Sequence, residues 1–268
     1  MAVLNKIEGE HFTFSHSIDK APRDSDFMPH IHDEYEIFCL VRGNVDYMVE
    51  GTLYKLKSGA VILMRPSETH KLIVNKSTEY ERYVLNFSGR IFGGTSFSRQ
   101  LLSPFKSRSI GEKNLYLPSE LGAISPIVYF EKMMTECLNF NQNDAIISNL
   151  SSFLCALNIA FKSKEHKGEE KGVEAEIITY VNENLTKELT IEKIAEQMHI
   201  SPSQVSRVFK RATGKSPHSY ITTKRLLLFN KKKRAGVGVI DACHECGFHD
   251  YSAFYRLYKK HFNKAPTE

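Results

Sequence analysis

A chain of 268 residues can bury one sizeable core or two smaller ones, and its 41% hydrophobic and 25% charged content excludes a disordered or fibrous protein. No run of eighteen apolar residues occurs and the N-terminal MAVLNKIEGEHF lacks a basic-then-apolar leader profile, so neither a membrane partner nor export is expected and the expected location is the cytoplasm. Five cysteines without framework spacing agree with a reducing compartment, and the net charge of +5 is unevenly placed: residues 173 to 268 carry 16 Lys and Arg against 10 Asp and Glu, the rest 20 against 21. The basic excess therefore points to a polyanion partner for the C-terminal part alone.

Residues 1 to about 28 read as an arm. From Glu34 to Phe87 short apolar runs alternate with turn signals: YEIFCLV, then Arg42-Gly43-Asn44, VDYMVEG, TLYKL, Lys57-Ser58-Gly59, AVILM, KLIV and YVLNF. Short β-branched and aromatic segments at this spacing predict a small antiparallel barrel or sandwich. From about Glu120 the period becomes helical, with Ile127, Phe130, Met134 and Leu138 on one stripe and, after NFNQND, Ile146, Ile147, Leu150, Leu154 and Leu157 on another. The two antiparallel helices could bury their apolar faces on the barrel or on a second copy of the chain. SKEHKGEEKG, residues 163 to 172, has nothing to bury and reads as a linker between an N-terminal domain of residues 1 to 162 and a C-terminal domain of residues 173 to 268.

Beyond the linker the pattern is helical in short pieces. Ile178, Val181 and Leu185 define a first helix; Thr190 caps a second with Ile191, Ile194, Ala195 and Met198 inward. Ser201-Pro202, an N-cap followed by proline at the first helical position, opens a third that runs to about Thr213, with Gly214 past its end. Two short helices joined by so brief a turn form a helix-turn-helix. Val205, Val208, Phe209 and Ala212 occupy its inner stripe, which leaves Ser203, Ser206, Arg207 and Lys210 outward. About fifty residues on, the pattern returns: Val239, Ala242 and Cys243, then GFHD, then a helix with Phe254, Leu257, Tyr258 and Phe262 inward and Ser252, Tyr255, Arg256 and Lys259 outward, the two units bridged by a helix starting near His218.

LTIEKIAEQMHISPSQVSRVFKRATGKSPHSYI, KRLLL and CGFHDYSAFYRLYKKHFNKAP, within the last 85 or so residues, resemble the DNA-binding domain of the AraC/XylS family of bacterial transcription regulators. The resemblance implies two recognition helices entering successive major grooves of double-stranded promoter DNA, with Ser203, Ser206, Arg207, Ser252, Tyr255 and Arg256 facing bases; Lys210 and, by its matching position, Lys259 suit phosphates. Departures lie along the connecting helix, where Phe229 and Lys232-Lys233 replace the family's small and leucine positions and RAGVGV is one residue short. Either the two units are loosely coupled here or the lysines contact phosphate. The CHEC at Cys243 to Cys246 has no second cysteine pair and is a poor zinc site.

His30, His32, Glu36 and Gly43 match the first motif of the cupin barrel, while Gly59, Pro66 and His70 resemble the second, with Glu68 where glycine is usual. The fold class expected is therefore α+β in two domains: a cupin-like antiparallel β-barrel with two antiparallel helices, then an all-α tandem helix-turn-helix. Three His and a Glu could form a metal set, but the altered motif around Glu68 favours an effector pocket lined by His30, His32, Glu36 and His70, with no metal or other cofactor and no catalytic residue. The implied protein is a regulator, an activator, controlled by a small-molecule effector, dimeric through its N-terminal domain and in contact with RNA polymerase. Two rivals stay open: a metal-dependent cupin enzyme carrying a DNA-targeting module, and an effector-blind DNA-binding dimer.

Overall fold

A computed structural model describes residues 2–93, 100–122, 124–164 and 172–267. The chain divides into two compact units, Met1–Lys171 and Gly172–Glu268. Most of the expected linker, residues 165–171, lies outside the described residues, and its first two positions, Ser163 and Lys164, are the end of a helix.

The first unit is an antiparallel sheet of β1 (Ala2–Gly9), β2 (Phe12–Asp19), β3 (Tyr35–Val49), β4 (Thr52–Lys55), β5 (Val61–Met64), β6 (His70–Phe87) and β7 (Leu115–Tyr116), in the order β1-β2-β6-β3-β5-β7 with β4 on the far half of β3. The expected N-terminal arm is thus largely strand: β2 pairs with β6 from Phe12↔Phe87 to Asp19↔Tyr80, and Phe12 and Phe14 are buried. Its period-2 pattern, FTFSHSID, carried that information. Arg42-Gly43-Asn44 is not a turn between strands but a bend within β3, where the register against β6 shifts on both sides of Arg42. Gly43 takes φ +137 there, and a Cβ would stand 3.0 Å from the Tyr80 ring, so only glycine fits the bend.

Both faces of the bent sheet are covered, which is why YEIFCLV reads as a continuous apolar run rather than an alternation. Phe38, Leu40, Val45, Tyr47, Val49, Ile62, Met64, Leu72 and Tyr80 fill the concave interior. Ile37, Cys39, Val61, Leu63, Tyr83, Leu85 and Phe87 point the other way, to helices α1 (Pro126–Asn139) and α2 (Gln142–Lys164). Phe130 of α1 packs 5.7 Å from Tyr83, 6.0 Å from Phe14 and 5.3 Å from Phe153 of α2, ring centre to ring centre. The helix faces are therefore covered by their own sheet. Two expected stripe positions face outward instead: Leu138 is 55% and Ile147 37% exposed, because Met133, Cys137 and Asn149 turn the buried stripe slightly about each axis. By length and mean hydropathy α2 could cross a membrane, but half of that stretch is buried in this core, as a core helix requires.

The second unit comprises α3 (Val173–Glu183), α4 (Ile191–Gln197), α5 (Pro202–Thr213), α6 (Pro217–Arg234), α7 (Val239–Glu245) and α8 (Tyr251–Phe262). Leu185, expected in the first helix, lies beyond its end. The predicted caps are formed: Thr190 Oγ1 accepts from Lys193 N, Ser201 and Gln204 form a capping box, and Gly214 closes α5 at φ 69. The helices α4–α5 and α7–α8 end their first members alike. His199 (φ 53) and Gly247 (φ +83) are left-handed, and the next amide in each, Ile200 N or Phe248 N, donates five residues back to Ala195 O or Cys243 O. The internal repeat is thus visible in the backbone.

Candidate functional sites

In the second unit α5 and α8 are anchored to opposite ends of α6. Phe209 packs 5.3 Å from Tyr220, while Phe254 and Tyr258 lie 4.6 and 5.4 Å from Phe229, ring centres measured. Phe229, a departure from the family pattern, is fully buried at the centre of the second core. Burying those stripes turns Ser203, Arg207 and Lys210 of α5, and Ser252, Tyr255, Arg256 and Lys259 of α8, to the exposed side, with Ser206 half-buried. Among the described residues neither Arg207 nor Arg256 has a hydrogen-bond partner, whereas Lys210 Nζ donates to Gly214 O at 3.2 Å. The exposed faces carry bidentate-capable donors on a helix of a width that suits a major groove.

Arg225, which sequence reasoning missed, holds the two helix-turn-helix motifs of this second unit together. From α6 its Nε donates to Leu185 O at 2.8 Å and its Nη2 to Lys187 O at 2.7 Å, ahead of α4, while Nη1 donates to Gly247 O at 2.9 Å, in the turn of the second helix-turn-helix motif. A Cβ on Gly247 would meet the guanidinium at 3.0 Å. α6 runs unbroken through the lysines, with Lys232 Nζ donating to Glu245 at 2.5 Å and Lys233 Nζ to Pro266 O at 2.5 Å. They brace α6 against the second helix-turn-helix motif and the segment after it. Cys243 and Cys246 are fully buried beside Phe229 and Phe254, and burial pushes the Cys246 thiol up to about 11, so both behave as small apolar residues.

In the first unit the structure brings His30, His32, Glu36 and His70 together, with one candidate ligand atom from each inside a span of 4.8 Å. Two reciprocal backbone bonds of 3.0 Å between His30 and His70 pin the His-x-His segment to the start of β6, and Ser67 N donates to His32 O. Each imidazole has its Nδ1 against a backbone carbonyl: His30 with Met28 O at 3.1 Å, His32 with Glu34 O at 3.1 Å and His70 with Glu68 O at 2.9 Å. A carbonyl only accepts, so each Nδ1 carries a proton, and each Nε2 faces the interior of the cluster. His32 Nε2 meets Glu36 Oε2 at 2.9 Å, and Tyr47, not foreseen from sequence, donates to Glu36 Oε1 at 3.3 Å. Burial opposes the Glu36 charge, but His32 and His70 outweigh it and hold the carboxyl well below the usual range. Burial and the neighbouring His70 hold His30 below its ordinary value.

Glu68 stands behind the cluster rather than in it. Its carboxylate is fully buried against Arg108, at 2.6 and 2.7 Å, and accepts further bonds from Gly111 N, Arg65 N and Asn114 Nδ2, while its backbone carbonyl orients His70. The partner lies forty residues away, beyond the reach of a local motif. A surface depression of about 460 Å³ lined by Lys106, Ser107, Arg108, Ser109, Glu112 and Lys113 shares Arg108 with this network and includes none of the histidines.

Residues 194–268 match a family model described as a helix-turn-helix domain, and residues 18–124 one described as an AraC-like ligand binding domain. The HTH-type transcriptional activator RhaS of Mannheimia succiniciproducens is 24% identical over 263 residues, covering 93% of this chain and 91% of the relative. RhaS of Enterobacter sp. (strain 638) is 23% identical, with 100% and 96% covered. Among solved structures, ToxT from Vibrio cholerae O395 aligns over 96% of this chain and 97% of its own at 14% identity, with a TM-score of 0.41. The two matched domains lie in the order, and over the two units, that the folds occupy, and together they span well over half of the chain. The chain belongs to the AraC/XylS family of transcription regulators, with an effector-binding first domain and a DNA-binding second one.

Proposed function

We propose that the protein is a cytoplasmic, sequence-specific activator whose tandem helix-turn-helix units read promoter DNA and whose first unit takes a small effector at His30, His32, Glu36 and His70. One observation carries the DNA reading: two matched helices, each with an exposed arginine on the face opposite its buried stripe, are held on one connecting helix by Arg225. That rigid pairing favours simultaneous entry of both helices into the duplex. Ser203, Ser206, Arg207, Ser252, Tyr255 and Arg256 face base edges in this reading, and Lys210 and Lys259 face phosphates. The activator assignment is supported by the names of the RhaS relatives.

Effector binding shifts the population able to hold the promoter and engage RNA polymerase. Dimerisation through the first unit is supported by apolar side chains left exposed on α1 and α2, among them Val128, Leu138 and Ile159. The test of the whole reading is selection of binding sites from random duplexes by the full chain, followed by titration of the selected site. An enriched motif with two half-sites one helical turn apart is expected. Binding without any sequence preference overturns it.

A further inference from the structure

The interior of the bent sheet is closed. Phe38, Leu40, Val49, Ile62, Met64 and Tyr80 are each at most 1% exposed, so an organic effector can enter only where a segment moves aside. The strands β2, β3 and β6 are held by long ladders. Residues 20–29, which run from the end of β2 to His30, are held differently. Among the described residues the backbone-to-backbone bonds of this strap are internal: Asp26 N donates to Arg23 O at 2.9 Å and Phe27 N to Asp24 O at 3.2 Å. A side chain ties the strap to the sheet. Asp24 accepts from Lys71 Nζ at 2.6 Å and from Val74 N at 3.2 Å, both on β6, and its carboxylate is half exposed. A segment with so few ties, fastened by an exposed latch, opens at lower free energy than the ladders beside it.

The strap sends one ring inward. Phe27 packs on the interior core, edge-on to Tyr80 at 5.9 Å between ring centres, while the Arg82 guanidinium lies 5.7 Å from the centre of the Phe27 ring and 4.9 Å from that of Tyr80. Behind it runs a row of rings. Tyr80 faces Phe38 at 6.5 Å, Phe38 meets Tyr47 at 4.9 Å, and Tyr47 stacks on His70 at 6.0 Å. Phe27 therefore fills a ring-sized slot at the outer end of a row that reaches the effector residues.

We propose that residues 20–29 are the door of the effector site, that Phe27 is its plug, and that the effector carries an aryl ring which takes the place of Phe27 against Tyr80 and Arg82. This rests on the reading of the first unit as an effector domain. Both neighbours select for a π system: Tyr80 meets the ring in edge-to-face geometry, and Arg82 sets a cation against its face. A saturated ring of the same size fills the slot but forfeits both contacts. Because ligand and Phe27 compete for one place, the apparent affinity falls by the fraction of chains whose strap is open. The strap ends at His30, which exchanges two backbone bonds with His70, so displacing the plug pulls on the first residue of the proposed effector set.

The test uses the full chain, with phenol as the probe and cyclohexanol as its saturated control, each titrated by saturation-transfer NMR. Phe27→Ala vacates the slot and should bind phenol at least about 10-fold more tightly than the parent, as an emptied aromatic cavity does. Asp24→Ala keeps the plug but frees the latch; it should tighten phenol binding by about 3-fold and speed hydrogen exchange at the amides between residues 21 and 28, with β2 and β6 unchanged. Cyclohexanol should bind Phe27→Ala at least about 3-fold more weakly than phenol does. Circular dichroism melting verifies that both variants fold. Phenol binding equal in the parent and a folded Phe27→Ala, or exchange in Asp24→Ala no faster than in the parent, overturns the door. Cyclohexanol bound as tightly as phenol overturns the aryl ring. DNA binding is followed on the same samples, so the readings separate: a parent without sequence preference sinks the regulator alone, and phenol uptake that needs the vacated slot sustains the door even then.

Discussion

Replacing Arg108 with Met removes the partner of a carboxylate that has no route to water. Both side chains are 0% exposed, and the two bonds of 2.6 and 2.7 Å form a fork that no other residue can reproduce. After the change Glu68 keeps Gly111 N at 3.1 Å, Arg65 N at 3.0 Å, Asn114 Nδ2 at 3.2 Å and the Arg65 guanidinium at 3.5 Å, which is partial compensation only. Breaking a buried pair from one side costs about 3 to 5 kcal/mol. The titration points the same way: burial raises the Glu68 carboxyl, Arg108 more than offsets this, and the net result is a fall from 4.5 to about 2. At about 2 to 4 °C per kcal/mol for a unit of this size, the melting temperature should drop by about 6 to 20 °C.

The assay is thermal and urea unfolding of the parent, Arg108→Met, Glu68→Leu and the double variant. The double variant should be more stable than the sum of the single losses predicts, by at least about 2 kcal/mol, because no uncompensated charge remains. The pH dependence has a definite sign. A carboxyl whose folded value is depressed contributes fully above the unfolded value, near 4.5, and its contribution is lost as the pH falls toward about 2. The gap between parent and Arg108→Met should therefore narrow across that window. A loss under about 1 kcal/mol at neutral pH, or strict additivity in the double variant, would refute the reasoning.

Arg207→Ala and Arg256→Ala should each cost about 1 to 3 kcal/mol on the selected DNA site and far less on random duplex, measured by fluorescence anisotropy; equal losses on both would demote them to phosphate contacts. Lys210→Ala and Lys259→Ala should weaken binding on every sequence and flatten its salt dependence by about one ion each, read from log–log salt titrations. Arg225→Met should weaken a two-half-site DNA by about 10-fold or more while leaving a single half-site almost unaffected, since it removes the tie between units and not a DNA contact; parallel losses on both DNAs would count against that role. Gly247→Ala should lower the melting temperature of the second unit by several degrees, because alanine is strained at φ +83 and its Cβ would crowd the Arg225 guanidinium; differential scanning calorimetry decides it.

The helices, caps and buried stripes of the second unit were largely legible from sequence. Caps, the left-handed Gly214 and stripes such as Val205, Val208, Phe209 and Ala212 are local devices, and helices of ten or so residues declare their buried face within their own length. The outward positions of α5 and α8 follow from the same periodicity. The meeting of His30, His32 and Glu36 with His70 could be anticipated only by resemblance, because a strand crossing, not a spacing, brings β6 back to the segment before β3. Tertiary structure alone decided the rest. It turned Arg42-Gly43-Asn44 from a turn into a bend, drew residues 2 to 19 into the sheet, and set Arg108 against Glu68 and Arg225 between the two helix-turn-helix units. In each case the partner lies tens of residues away and is chosen by which buried charge or backbone carbonyl the fold leaves unsatisfied, a condition that exists only once the chain has closed around it.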